Sequence, residues 1–144
     1  MENIKIFNGL DKNSISKIEK FMQKRVYIAG EKIFQEGELG EELYILSNGL
    51  VGIYKAGVKL GELGEKEVFG EMAIIDNQSR SATVTAETNV EVFVLSHEDF
   101  DRLKRDDIEA YATITVNIAK DISIRLREIN DKVQRIWKWY ISAN

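Results

Sequence analysis

Cysteine and proline are both absent from this 144-residue chain, and histidine occurs once, at His97. Without cysteine there are no disulfides, no thiol nucleophile and no thiolate-held metal or iron–sulfur centre. Without proline, the turns must be built from glycine, asparagine and aspartate. A lone histidine leaves metal-dependent or haem chemistry short of ligands. His97, beside Glu98 and Asp99 at a predicted helix start, reads as a solvated side chain. A strong excess of one charge sign is missing too: 20 Lys and Arg stand against 24 Asp and Glu, for a net charge of −4. No general attraction to nucleic acid or anionic membrane follows from that balance. No apolar run approaches bilayer-spanning length, and residues 1–7 lack the basic end and continuous apolar stretch of a signal peptide. A cytoplasmic protein without nucleic-acid or membrane partners is expected. The chain also has no nucleophile–base pair, Walker loop or Gly-x-Gly-x-x-Gly loop, so no enzyme is expected.

What is present fits one domain with a real hydrophobic core: 44% hydrophobic and 31% charged residues. Residues 1–24 read as an N-terminal helical segment. Asp11 or Asn13-Ser14 can cap a helix in which Ile15, Ile18, Phe21 and Met22 recur at three- and four-residue spacing. From residue 25 to about residue 100 the period changes to two, with short strands separated by glycine-bearing turns. Asn48-Gly49, between two apolar runs, predicts a hairpin, of type I′ if its loop has two residues. Ser96, followed three residues later by Asp99, predicts a capping box and a helix start. Many short strands with frequent glycine turns point to a sandwich or barrel of jelly-roll type; the expected fold class is mainly β with flanking helices, a double-stranded β-helix (jelly-roll) sandwich.

Residues 101–144 complete the chain as a C-terminal helix. Ile122, Leu126, Ile129, Val133, Ile136 and Tyr140 fall at alternating four- and three-residue steps, and the seam continues more weakly back through Ala119, Thr115, Ala112 and Ile108. A seam of that length predicts a partner, and the same helix in a second copy gives a two-fold homodimer. Trp137, Trp139 and Tyr140 read as dimer packing or as a patch for a further effector protein.

The stretch from residue 69 to residue 84 carries the chemistry. Gly70 permits positive φ and close backbone approach. Glu71-Met72-Ala73-Ile74-Ile75 is long enough for one helical turn with free N–H groups. A polar turn over residues 76–79 then leads to Arg80-Ser81-Ala82-Thr83-Val84. A carboxylate, a row of backbone donors, a guanidinium and a hydroxyl can together hold a ribose and a single phosphate.

Phe69-Gly70-Glu71-Met72-Ala73, six intervening residues and Arg80-Ser81-Ala82-Thr83-Val84 resemble the phosphate-binding cassette of the cyclic nucleotide-binding domain family. The layout of residues 5–100 resembles that family as well. The resemblance implies a non-enzymatic sensor of cAMP or cGMP with no other cofactor. It implies that Glu71 takes the ribose 2′-hydroxyl and Arg80 the cyclic phosphate, with Gly70, Met72, Ala73, Ser81 and Ala82 lining the site. Ser79 stands where the family often has proline, so the turn is less rigid. In the family the C-terminal helix often closes over the base, which makes Ile122, Ser123, Arg125 and Leu126 the expected lid. Arg125 has a guanidinium plane suited to a purine. Val51 and Leu60 are the expected apolar wall. Ser81 can donate to phosphate or to a guanine amino group, which leaves the choice between cAMP and cGMP open.

Three alternatives are set against this reading. Cupin-type enzymes share such a fold but need several inward His or carboxylate ligands. Bacterial relatives often add a helix-turn-helix after the long helix, and a chain ending at Asn144 is expected to leave no room for one. An interaction module with a vestigial pocket, or one for a different phosphorylated ligand, is the third. Retention of both Glu71 and Arg80 speaks against decay, because an unpaired charge buried in an unused pocket is costly.

Overall fold

The computed structural model describes residues 3–143. After a 3-10 turn at Lys5–Phe7 come α1 (Lys12–Phe21), β1 (Gln23–Tyr27), β2 (Lys32–Phe34), β3 (Glu42–Asn48) and β4 (Val51–Lys55). Then follow β5 (Val58–Leu63), β6 (Val68–Phe69), α2 (Met72–Ile75), β7 (Thr83–Ala86), β8 (Val90–Ser96), α3 (His97–Asp106) and α4 (Ile108–Ala143). Two four-stranded sheets, ordered β1-β8-β3-β6 and β2-β7-β4-β5, face each other as a jelly-roll sandwich. Every strand pair is antiparallel.

The continuous apolar run of β3 has a structural cause. Leu43 and Ile45 point to a core shared with the helices, where they meet Ile18, Phe100, Ile114 and Ile118. Tyr44 and Leu46, on the alternate face, enter the sandwich interior with Val51, Phe69, Val84 and Val92. The sheet that contains β3 is thus covered on both faces, which removes the polar alternation of a half-exposed strand.

Helix starts are capped as expected. The Asp11 side chain accepts from Ser14 N at 2.8 Å. Ser96 Oγ accepts from Asp99 N while Asp99 accepts from Ser96 N, a complete capping box. The expectation at Asn48-Gly49 is corrected. β3 and β4 lie in opposite sheets, so Gly49 (φ 94°) carries a crossover rather than a hairpin. A Cβ there would sit 2.5 Å from Asn89 O, so the crossover needs glycine for space as well as for φ. The tight hairpin lies one turn later, between β4 and β5, where Ala56 and Gly57 both have positive φ, as a type I′ turn requires.

α4 has 36 residues and is about 54 Å long. Its first half packs against the sandwich through Ala110, Ile114 and Ile118, with Ile122 partly buried behind them. Asn117 Nδ2 donates to Ile6 O (2.9 Å) and Asn8 O (2.8 Å), tying the helix to the N-terminal turn. From Leu126 to Ala143 every residue is exposed. None of the described helices is long and apolar enough to cross a membrane.

Candidate functional site

A cavity of about 160 Å³ is lined by the cassette, by Phe34 and Ile53 of the sandwich and by Arg125 of α4. Gly70 introduces the cassette at φ 77°. A Cβ on it would lie 2.9 Å from Arg80 Nη1 and 3.0 Å from Glu42 O, so the position is closed to other residues on two counts. Glu71 follows as the residue that opens α2.

Arg80 and Glu71 are the only buried charged side chains among the described residues, each 7% exposed. Arg80 Nη1 donates to Gly70 O at 3.0 Å and Nη2 to Glu42 O at 2.8 Å. Its Nε is buried and makes no hydrogen bond. No ion pair to Arg80 occurs among the described residues. Burial pulls its pKa below the ordinary arginine value, with Tyr44 and Glu42 working the other way. An arginine remains a cation even so. It is a buried positive charge with a spare donor, at the edge of a cavity.

Glu71 is differently placed. Its Oε1 accepts from Arg125 Nη1 at 2.7 Å. Arg125 also donates to Val68 O and pairs with Asp121 at 2.9 Å. Burial raises the Glu71 pKa above its ordinary 4.5, against the pull of Arg125. Beyond the cavity, Arg25 donates twice to Glu42, at 3.0 and 2.6 Å. Burial pushes Glu42 up, but the hydrogen bonds and charge of Arg25, with the Tyr44 hydroxyl and the Arg80 charge, together outweigh it and hold its pKa below the usual value.

Of the residues expected at the site, Gly70, Glu71, Met72, Arg80, Ser81, Ala82 and Arg125 line this one cavity. Ala73 lies in α2, and its side chain is outside the described set. Val51 and Leu60 are placed elsewhere. Val51 is buried in the sandwich interior. Leu60 falls at a β-bulge, between pairings of Ile53 with Gly61 and Tyr54 with Lys59, and is turned out to solvent. Phe34, Ile53, Phe69 and Val84 form the apolar lining instead. Ile53 shares a face with Val51 two residues earlier, and that period-two face reaches the cavity at Ile53 rather than at Val51. Of the expected lid, Arg125 reaches the cavity, Ile122 packs on the core, Ser123 is exposed and Leu126 is exposed.

The comparisons with known proteins agree with this geometry. The profile of the cyclic nucleotide-binding domain family matches residues 24–107. The cyclic AMP receptor protein of Thermus thermophilus is 32% identical over 133 residues, which is 89% of this chain and 60% of that protein. A cAMP-dependent protein kinase regulatory subunit from Candida albicans is 35% identical over 106 residues, 72% of this chain and 23% of that protein. A cyclic nucleotide-binding domain from Methylobacillus flagellatus superposes with a TM-score of 0.84 at 23% identity, over 90% of this chain and 76% of that one, a likeness of fold. The chain thus spans less than two thirds of the length of the two sequence relatives just named. With a matching profile over more than half its length and the cassette folded around one cavity, the chain belongs to the cyclic nucleotide-binding domain family.

Proposed function

We propose that this protein is a non-enzymatic sensor of a cyclic nucleoside monophosphate, cAMP or cGMP. The observation that carries the reading is Arg80: a buried cation with no carboxylate ion-pair partner among the described residues and an unused Nε donor, lining the same cavity as Glu71. A buried cation is costly until an anion meets it, and one phosphodiester charge matches one guanidinium. Backbone N–H groups at the start of α2 and the Ser81 hydroxyl would add donors to the phosphate. Glu71 would accept from the ribose 2′-hydroxyl and so select ribose over deoxyribose.

The cavity is smaller than the roughly 300–1,000 Å³ usual for small-molecule sites, so binding would widen it at the cassette or at Arg125. Because Arg125 belongs to α4 and grips the sugar-side carboxylate, that movement reaches the C-terminal helix. A ligand that favours one placement of α4 shifts its equilibrium by linkage. The exposed seam of Leu126, Ile129, Val133 and Ile136 supports a second copy of this chain as the partner of α4.

The reading is tested by a thermal-shift panel of cyclic mono- and dinucleotides. A ligand at 100 times its dissociation constant adds about 2.7 kcal/mol of stability only if it prefers the native state. A rise in melting temperature with cAMP or cGMP is expected. No shift with either at millimolar concentration refutes the reading. A shift with another phosphorylated compound alone would point to the different-ligand alternative.

A further inference from the structure

Phe34 does more than line the cavity. A register shift between Lys32 and Phe34 breaks the regular pairing of β2 with β7. Such a bulge re-aims side chains, and here Ile33 enters the core while Phe34, the very next residue, also faces inward. Its ring packs 5.7 Å from the Tyr44 ring and 6.0 Å from the Phe69 ring, which stack on each other at 5.0 Å. Arg80 Cζ lies 4.1 Å from the centroid of the Phe34 ring. The main chain of Gly40 presses on the same guanidinium, since a Cβ there would lie 2.0 Å from Arg80 Nε. The two carbonyl acceptors, Gly70 O and Glu42 O, hold its terminal nitrogens.

On the cyclic-phosphate reading above, we infer that Phe34 is the positioning residue that sets the plane of the Arg80 guanidinium, and with it the discrimination between the two exocyclic oxygens of a cyclic phosphate. A planar fork fixed in one orientation addresses one of the two oxygens. A fork free to tilt follows either. The aromatic face supplies attraction that an aliphatic side chain of similar volume lacks.

The test is calorimetric titration of the parent, Phe34→Leu, Phe34→Met and Phe34→Tyr with cAMP, cGMP and the Sp and Rp phosphorothioates of each, with circular dichroism to verify folding. Phe34→Leu and Phe34→Met should weaken the better unmodified nucleotide by up to about thirtyfold, the size of a desolvated cation–π contact. Their ratio of Sp to Rp affinity should move towards one, and Phe34→Tyr should keep both parental values. A folded Phe34→Leu or Phe34→Met with parental affinity, or with weaker binding and an unchanged Sp to Rp ratio, overturns the inference while the function stands. A parent that binds none of the cyclic nucleotides overturns both.

Discussion

Arg125 Nη1 and Glu71 Oε1 meet at 2.7 Å, joining α4 to the carboxylate that opens α2 across 54 positions of chain. The carboxylate is buried and the guanidinium about two thirds covered. The contact places α4 in direct touch with the carboxylate proposed to hold the sugar.

Arg125→Ala leaves Glu71 buried without its charged donor. The expected cost is about 1–3 kcal/mol of folding stability, as for a buried acceptor left unsatisfied. Adding Glu71→Gln to the same chain should recover part of it, because the two residues are coupled. Urea denaturation of the parent, both single variants and the double variant checks this. Strictly additive losses would show that the pair is not coupled.

Acid should weaken the ligand before it weakens an ordinary carboxylate site. On the proposed function the ionised Glu71 accepts from the 2′-hydroxyl, and burial raises its native pKa above 4.5. Affinity is therefore full above that raised pKa and falls as pH drops through it. The stability contribution has the opposite sign: the native state holds this proton more tightly than the unfolded chain, so Glu71 favours folding below 4.5 and loses that as pH rises through its native pKa. Nucleotide titrations from neutral to acid pH, on the parent and on Glu71→Gln, separate the two. The variant should bind more weakly at neutral pH and lack the acid limb.

Gly70→Ala forces a β-carbon into a left-handed backbone position and against the Arg80 guanidinium. The backbone term alone is roughly 1–2 kcal/mol. Displacement of Arg80 should add a loss of nucleotide affinity larger than the loss of stability. Parallel thermal melts and binding titrations measure both, and a variant that is destabilised but binds as the parent does would remove Gly70 from the site.

A second copy on the exposed seam predicts a dimer at micromolar concentration. Val133→Asp, placed in the middle of the seam and exposed in the structure, should give a monomer with an unchanged melting profile for the β domain. Static light scattering decides it. A monomeric parent removes the dimer and leaves the binding site as it stands.

Much of this architecture is legible in the amino-acid order because local signals agree with the global fold. The Asp11 cap, the Ser96–Asp99 box and the Gly70-to-Val84 cassette each announce themselves through short-range chemistry. Asn48-Gly49 misled because a glycine turn between two strands looks alike whether the strands pair or part into opposite sheets. Leu60 misled because a bulge shifts the period-two face by one residue, and nothing in Val58-Lys59-Leu60 marks where that slip occurs. The same kind of slip in β2 brings Phe34 to Arg80, a contact that strand alternation alone hides. Arg125 is one of the residues expected at the lid, and the structure joins it to Glu71 at the cavity. Which lid residue reaches the cavity depends on the rotation of α4, which is set by Ala110, Ile114 and Ile118 a few turns away.

The central claim is that Arg80 holds a cyclic phosphate. Calorimetric titration of Arg80→Leu beside the parent, with cAMP and cGMP, tests it most directly. Loss of one partner of a desolvated charge pair typically costs about 2–5 kcal/mol. A folded variant that binds more than tenfold more weakly than the parent is the predicted result, and near-equal affinity for variant and parent would contradict it.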